Sequence, residues 1–176
     1  METDLTQAEE QRLQRLQKYA DQVEIAYQKM VQSINSGELD GFSEEEVRFY
    51  LSHAPNMIAE SSLFLAKLQR AWRYSQIDAK VVSAEVWKKC NRVKEQLGLS
   101  SAKDREAYVQ TQPELIKAQQ TETEFRYRVE QMQVICDRYV NLYLSARKLA
   151  SLLIPFNKAQ DDYVKYNKEY GEDDVR

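Results

Sequence analysis

The apolar positions between Thr111 and Ile154 alternate at spacings of three and four, which is the pattern of a heptad seam on a long helix. Its first line comprises Phe125, Val129, Met132, Cys136, Tyr139, Tyr143, Ala146, Ala150 and Leu153. A second line follows beside it at seven-residue intervals through Ile135, Leu142, Leu149 and Phe156. At ~1.5 Å per residue, the segment predicts a helix about 60 Å long. Two adjacent lines make a stripe wide enough for more than one partner. We therefore expect the first line to face the chain's own core, and the second line, together with Leu153, to join subunits.

Two earlier segments carry the same period. One falls between a Thr-x-x-Glu capping box at Thr6 and the stop signal Ser36-Gly37, and it predicts an acidic N-terminal helix within residues 1–41. The other is a seam from Ile58 to Val86, which predicts a helix over residues 55–97. A further capping box at Ser43 predicts a short helix that ends near Ser52, before Pro55.

These elements predict an all-α fold, an elongated antiparallel long-helix hairpin or bundle with coiled-coil-like packing that oligomerises through its C-terminal helix. The predicted segments are the N-terminal helix (1–41), a helical core (42–156) that contains the basic helix (55–97) and the long C-terminal helix (111–154), and a polar acidic tail (157–176). With only four glycines and three prolines in 176 residues, the composition favours long helices with few turns.

The two cysteines, Cys90 and Cys136, fall on predicted helices without any short spacing between them, which favours a reducing compartment. The N-terminal stretch is polar and acidic, and no apolar run reaches the length of a membrane span. We therefore expect a soluble cytoplasmic protein without membrane partners, in the host cytoplasm if a phage encodes it.

Charge is distributed unevenly along the chain. The net charge is -3, and residues 1–62 carry five Lys or Arg against twelve Asp or Glu. Residues 67–94 reverse this balance, with eight basic side chains against Asp78 and Glu85. A basic middle between acidic ends predicts a local anion-binding surface that the overall charge conceals.

The residue types and spacings of this chain give little support for a catalytic site. The single histidine, His53, has no second His or Cys at ligand spacing, and no Gly-rich phosphate loop occurs. Cys136 lies on the heptad seam, and Cys90 has basic neighbours without a general base. We therefore expect a protein that is not an enzyme and needs no metal or cofactor.

The basic segment also interleaves cations with aromatic residues, which is a combination that holds single-stranded nucleic acid: cations follow the phosphates while aromatic rings stack on bases. The predicted DNA-binding residues are Lys67, Arg70, Arg73, Tyr74, Lys80, Trp87, Lys88, Lys89 and Arg92. A second interpretation stays open, because a charged outer face is normal for a solvated helix, and Trp72 lies on the seam as a core residue would.

Three stretches resemble the C-terminal part of the UvsY-type recombination mediators of tailed phages. They are Asp104–Val109 (DREAYV), Pro113–Ala118 (PELIKA) and Ser145–Ile154 (SARKLASLLI). The resemblance covers about fifty residues and consists of a short helix, a polar turn, and a long amphipathic helix that ends in a basic and then aliphatic run.

The resemblance implies a helical protein that forms ring-shaped homo-oligomers through its C-terminal helices and binds single-stranded DNA. It also implies a role in loading a RecA-like recombinase onto strands covered by single-stranded-DNA-binding protein. DNA contacts in that family come from basic residues of the preceding helical hairpin, and the basic segment here occupies the corresponding region. The alternative is a helical scaffold, adaptor or assembly chaperone that binds only protein.

Overall fold

The computed structural model describes residues 6–170, with side chains for all of them except Asp40, Phe156, Asn157 and residues 159–170. Four α-helices follow one another: α1 (Gln7–Ser36), α2 (Glu44–Val93), α3 (Ala102–Gln110) and α4 (Pro113–Tyr170). A short 3-10 helix (Leu39–Gly41) lies between α1 and α2. No strand occurs among the described residues, and the predicted all-α class is confirmed.

Reciprocal capping boxes begin α1, α2 and α3, and the sequence predicts the first two of them. In each, the first residue's side chain accepts a hydrogen bond from a backbone N–H three positions on, and the later carboxylate accepts one in return. The pairs are Thr6 with Glu9, Ser43 with Glu46, and Ser101 with Asp104. These hydrogen bonds from Ser43 and Ser101 lower the pKa of Glu46 and Asp104. Each box satisfies backbone donors that the helix itself leaves unpaired.

Two prolines do not end their helices, and the predicted boundaries are corrected there. The helix predicted to end near Ser52 and the one predicted over 55–97 form a single helix α2, which contains Pro55 and ends at Val93. Similarly, α4 continues through Pro155 rather than ending at residue 154. Proline removes one backbone hydrogen bond, but both prolines are exposed. Water can therefore satisfy the freed carbonyl on the solvent side.

The predicted acidic tail is partly helical as well. Residues 157–170 continue α4, whereas the rest of the predicted tail, after Tyr170, lies outside the described residues. At the other helix ends, Gly37 (φ +75°) and Gly98 (φ +65°) adopt the left-handed conformation that suits glycine.

The chain divides into two compact units that do not coincide with the predicted segments. Unit 1 comprises the residues up to Leu13 together with Ser61–Val134. Its core contains Leu68, Ala79, Val86, Cys90, Val109, Leu115, Ala118, Phe125, Val129 and Met132. Within this unit α2 and α4 run antiparallel, since Lys89 pairs with Glu114 while residues before Lys89 (76–87) and after Glu114 (115–122) line one groove. Lys89 and Glu114 form an ion pair at the end of the hairpin.

Unit 2 comprises Gln14–Glu60 and the residues from Ile135 onward. Here the seam of α1 packs with α4. The Tyr139 hydroxyl donates a hydrogen bond to the Leu16 carbonyl at 2.9 Å, and Arg138 pairs with Asp21 at 2.5 Å and with Glu24 at 3.5 Å. The buried residues of α4 in this unit are Ile135, Cys136, Tyr139, Leu142, Ala146, Leu149 and Leu153.

This packing corrects the predicted subunit interface. The residues expected to join subunits, Ile135, Leu142, Leu149 and Leu153, are all at most 3 % exposed within the single chain. They are core residues of unit 2, because the chain itself provides the packing partners for both lines of the stripe. The side chain of the remaining predicted interface residue, Phe156, lies outside the described residues.

Candidate nucleic-acid interface

The seven cations of the predicted DNA-binding set are exposed side chains of α2 in unit 1. Most of them belong to the surface opposite the buried seam, which we call the outer face of α2. It consists of exposed residues at positions 63, 66, 67, 70, 73, 74, 77, 80, 81, 84, 88 and 91. None of these positions holds a carboxylate. The two acids of the basic segment, Asp78 and Glu85, are also exposed, and Glu85 follows Lys67 after five helical turns, so that both acids lie at the edge of this face.

Two of the seven cations already have acidic partners within unit 1. Lys67 forms an ion pair with Glu9, and Lys89 pairs with Glu114 at 3.2 Å. Hydrogen bonds from its own backbone and from Lys89 lower the pKa of Glu114. The other five cations make no ion pair with any residue that the structure describes: Arg70, Arg73, Lys80, Lys88 and Arg92. At ~1.5 Å per residue they span about 33 Å of helix.

The two predicted aromatic residues occupy different environments. Tyr74 is 49 % exposed on the outer face, between cations. Trp87 is half-buried and packs against the cluster formed by Val86, Cys90, Val109 and Leu115. Trp72 belongs to the interior, since its indole Nε1 is buried without a hydrogen-bond partner among the described residues.

An open groove of about 570 Å³ lies between α2 and α4 in unit 1. Its polar and aromatic lining comprises Gln76, Lys80, Ser83, Trp87, Gln119 and Glu122. The carboxylate of Glu122 makes no ion pair with a described residue. Sequence reasoning found Lys80 and Trp87 but missed Gln119 and Glu122, because α4 brings them to the groove from a distant part of the chain.

Exposed aliphatic side chains are a second feature that the charge pattern did not predict. Leu63, Ile77 and Val81 are all at least half exposed on the outer face, between the cations. The surface is therefore basic and partly apolar. Such a mixture suits a ligand that carries both charge and apolar or aromatic groups.

No protein-family model, curated protein or solved structure matches this chain. Among the side chains that the structure describes, no group of three or more His, Cys, Asp or Glu is placed to hold a metal ion. Within residues 6–170, none of the helices has a stretch sufficiently long and apolar to cross a membrane. Cys90 and Cys136 are buried, and neither forms a disulfide.

Proposed function

We propose that the outer face of α2 binds single-stranded nucleic acid, with single-stranded DNA as the expected form. The observation that carries this proposal is a set of five exposed cations on α2 that make no ion pair with a described residue: Arg70, Arg73, Lys80, Lys88 and Arg92. Lys and Arg that neutralise phosphates release condensed counterions, which drives binding independently of sequence. Tyr74 provides an exposed ring within the row for base stacking.

The charges of this row are more uniformly positive than those of an ordinary solvated helix face. The chain as a whole has more acidic than basic residues, and neighbouring helices carry acids that pair with Lys67 and Lys89. The central cations have no such partners among the described residues. Leaving like charges unneutralised on one face costs stability, and this supports an external anion as their partner.

The proposed biological role follows from the resemblance to UvsY-type mediators. The protein would bind single-stranded DNA and help to load a RecA-like recombinase onto strands covered by single-stranded-DNA-binding protein. Homo-oligomerisation, including a ring, remains part of this proposal. Its contact surface would have to differ from the buried line of α4.

A protein-only scaffold, adaptor or assembly chaperone is the second candidate. The exposed aliphatic side chains Ile77 and Val81, which are about one helical turn apart, favour it, because exposed apolar residues that lie close together are typical of protein-binding surfaces. The two candidates predict different responses to an oligonucleotide that presents phosphates and bases but no protein surface.

The test is the affinity for a thymidine oligonucleotide as salt is varied. For single strands, the slope of log K against log salt is about -0.7 per neutralised phosphate, so five contacts give about -3.5. Between 50 and 200 mM salt the affinity should therefore fall about a hundredfold. Replacing Arg70 and Arg73 by Gln should reduce the slope to about -2.1.

The matched control replaces Arg147 and Lys148, two exposed cations of α4 in unit 2, by Gln. This pair removes the same charge and should leave the slope near that of the unaltered protein. Absence of binding at 50 mM salt would refute the proposal and favour the protein-only candidate. Equal effects of the two double substitutions would show that net charge, rather than the outer face, governs binding.

A further inference from the structure

The groove between α2 and α4 differs from the outer face in charge. The outer face is basic and partly apolar, whereas the groove is lined by the half-buried Glu122 of α4 together with Lys80 and Trp87 of α2. A phosphate would be repelled by this carboxylate. A neutral ring with hydrogen-bond donors would instead find an acceptor there.

Trp87 provides a fixed aromatic wall. Its side chain packs against the buried cluster of Val86, Cys90, Val109 and Leu115, and it also lines the groove. Because the core already restricts its rotamers, stacking a ligand against it costs less conformational entropy than stacking on a mobile surface residue. The groove volume of about 570 Å³ falls within the range of small-molecule sites, about 300–1,000 Å³.

Lys80 connects the groove to the phosphate-binding row. It belongs to the outer face of α2 and also lines the groove. A strand whose phosphate contacts Lys80 would therefore carry its attached nucleoside to the groove entrance. Polar groups that can address a base edge are present on both walls, with Gln76 on α2 and Gln119 on α4.

We propose that this groove is a nucleobase pocket, which takes one base of the bound strand against Trp87 and prefers bases that carry an exocyclic amino group. The inference rests on the proposed binding of single-stranded nucleic acid by α2. A carboxylate accepts a hydrogen bond from the cytosine N4 amino group, and glutamine amides pair with adenine. Thymine has no exocyclic amino group to offer to Glu122.

The test compares three oligonucleotides of equal length: oligodeoxycytidine, oligodeoxythymidine and an abasic strand with the same number of phosphates. The full-length protein should bind the cytidine strand about tenfold more tightly than the abasic strand, which is the size of one base-stacking contact. It should also bind the cytidine strand about fivefold more tightly than the thymidine strand, which is the lower end of one base-specific contact. Fluorescence of Trp87, isolated as the difference between the unaltered protein and Trp87→Phe, should be quenched by cytidine and not by the abasic strand.

Two matched pairs of substitutions locate the effect. Glu122→Gln should abolish the preference for cytidine over thymidine, whereas Glu124→Gln, the same charge change at an exposed position outside this groove, should retain it. Trp87→Leu should remove the part of the advantage over the abasic strand that does not come from stacking on Tyr74, whereas Tyr127→Leu, at an exposed ring outside this groove, should leave the advantage unchanged. Trp87→Phe keeps an aromatic ring for stacking and should preserve the preference for the cytidine strand over the abasic strand. A folding defect of Trp87→Leu therefore does not decide the result.

Equal affinity for all three strands would overturn the pocket while leaving the phosphate-binding proposal intact. A cytidine preference that survives both Glu122→Gln and Trp87→Leu would also overturn it. Absence of binding to any strand at low salt would refute the proposed function itself, and the pocket with it.

Discussion

Leu142 and Leu144 form a matched pair for testing whether the second line of α4 is core or interface. Both lie on the same helix in unit 2, yet Leu142 is 2 % exposed and Leu144 is 54 % exposed. Truncating Leu142 to Ala removes buried apolar atoms, which costs roughly 2.5 kcal/mol in lost transfer free energy at ~0.8 kcal/mol per buried methylene. The residual cavity adds to this, so that buried Leu→Ala changes cost about 2–5 kcal/mol.

Leu144→Ala should change the free energy of unfolding by no more than about 0.5 kcal/mol, as is typical of exposed positions. For a chain of this length, ~1 kcal/mol shifts the unfolding midpoint by about 2–4 °C. Leu142→Ala should therefore lower the midpoint by roughly 10 °C, and Leu144→Ala by about 2 °C or less. Thermal unfolding followed by circular dichroism, with urea titration as a second measure, gives both quantities.

Protein concentration separates core from interface in the same experiment. A core defect lowers the midpoint equally at all protein concentrations, whereas a weakened subunit interface makes the loss larger on dilution. The assignment of Leu142 to the core is contradicted if Leu144→Ala destabilises the protein as much as Leu142→Ala does. It is also contradicted if the loss in Leu142→Ala disappears at high protein concentration.

Two further substitutions test features of the fold. Tyr139→Phe should cost about 1 kcal/mol, the net value of its hydrogen bond to Leu16. Burial raises the pKa of Tyr139 above its usual value. Unfolded tyrosine ionises near pH ~10 while the folded residue keeps its proton, so stability should decline from about pH 10 upward. Urea titrations between pH 9 and 11 should show a smaller decline in the phenylalanine variant, and identical declines would contradict this role. Pro55→Ala should raise the free energy of unfolding by roughly 1–3 kcal/mol, because an exposed proline within a helix is replaced by a good helix former; a loss of stability in thermal unfolding would contradict it.

The helices and their starts could be predicted because the signals are local. The predicted capping boxes at Thr6 and Ser43 involve side chains only three residues apart, and the seam positions follow from helical periodicity alone. The continuation of α2 through Pro55 and of α4 through Pro155 could not be predicted, because the free-energy cost of a proline within a helix depends on which side of the helix it occupies. That side becomes known only when the packing partners are known. Both turned out to be exposed, where a missing backbone hydrogen bond is tolerated.

The partner of the second line on α4 could not be predicted from its spacing. A heptad repeat predicts that one surface of a helix is buried. It does not predict whether the helix that packs on this surface belongs to the same chain. The candidate site shows the same limit. The cations of α2 could be predicted from composition. Two of their properties depend on contacts between distant segments: the ion pairs of Lys67 with Glu9 and of Lys89 with Glu114, and the position of Glu122 in the same groove as Trp87.

These two ion pairs also determine how a strand would use the outer face. They neutralise Lys67 and Lys89 but leave five cations unpaired among the described residues (Arg70, Arg73, Lys80, Lys88 and Arg92), and the lysine side chains of both pairs remain mostly exposed. The Lys89–Glu114 pair is exposed on both sides and should be worth about 1 kcal/mol or less, whereas the Glu9 side chain is only 17 % exposed. A phosphate that releases counterions should therefore displace Glu114 more easily than Glu9. Binding that displaces neither glutamate gives a salt slope of about -3.5, and binding that displaces both adds two contacts and gives about -4.9. The measured slope therefore reports how far the strand extends along α2, and Glu9→Gln would steepen it only if Glu9 normally keeps Lys67 from the strand.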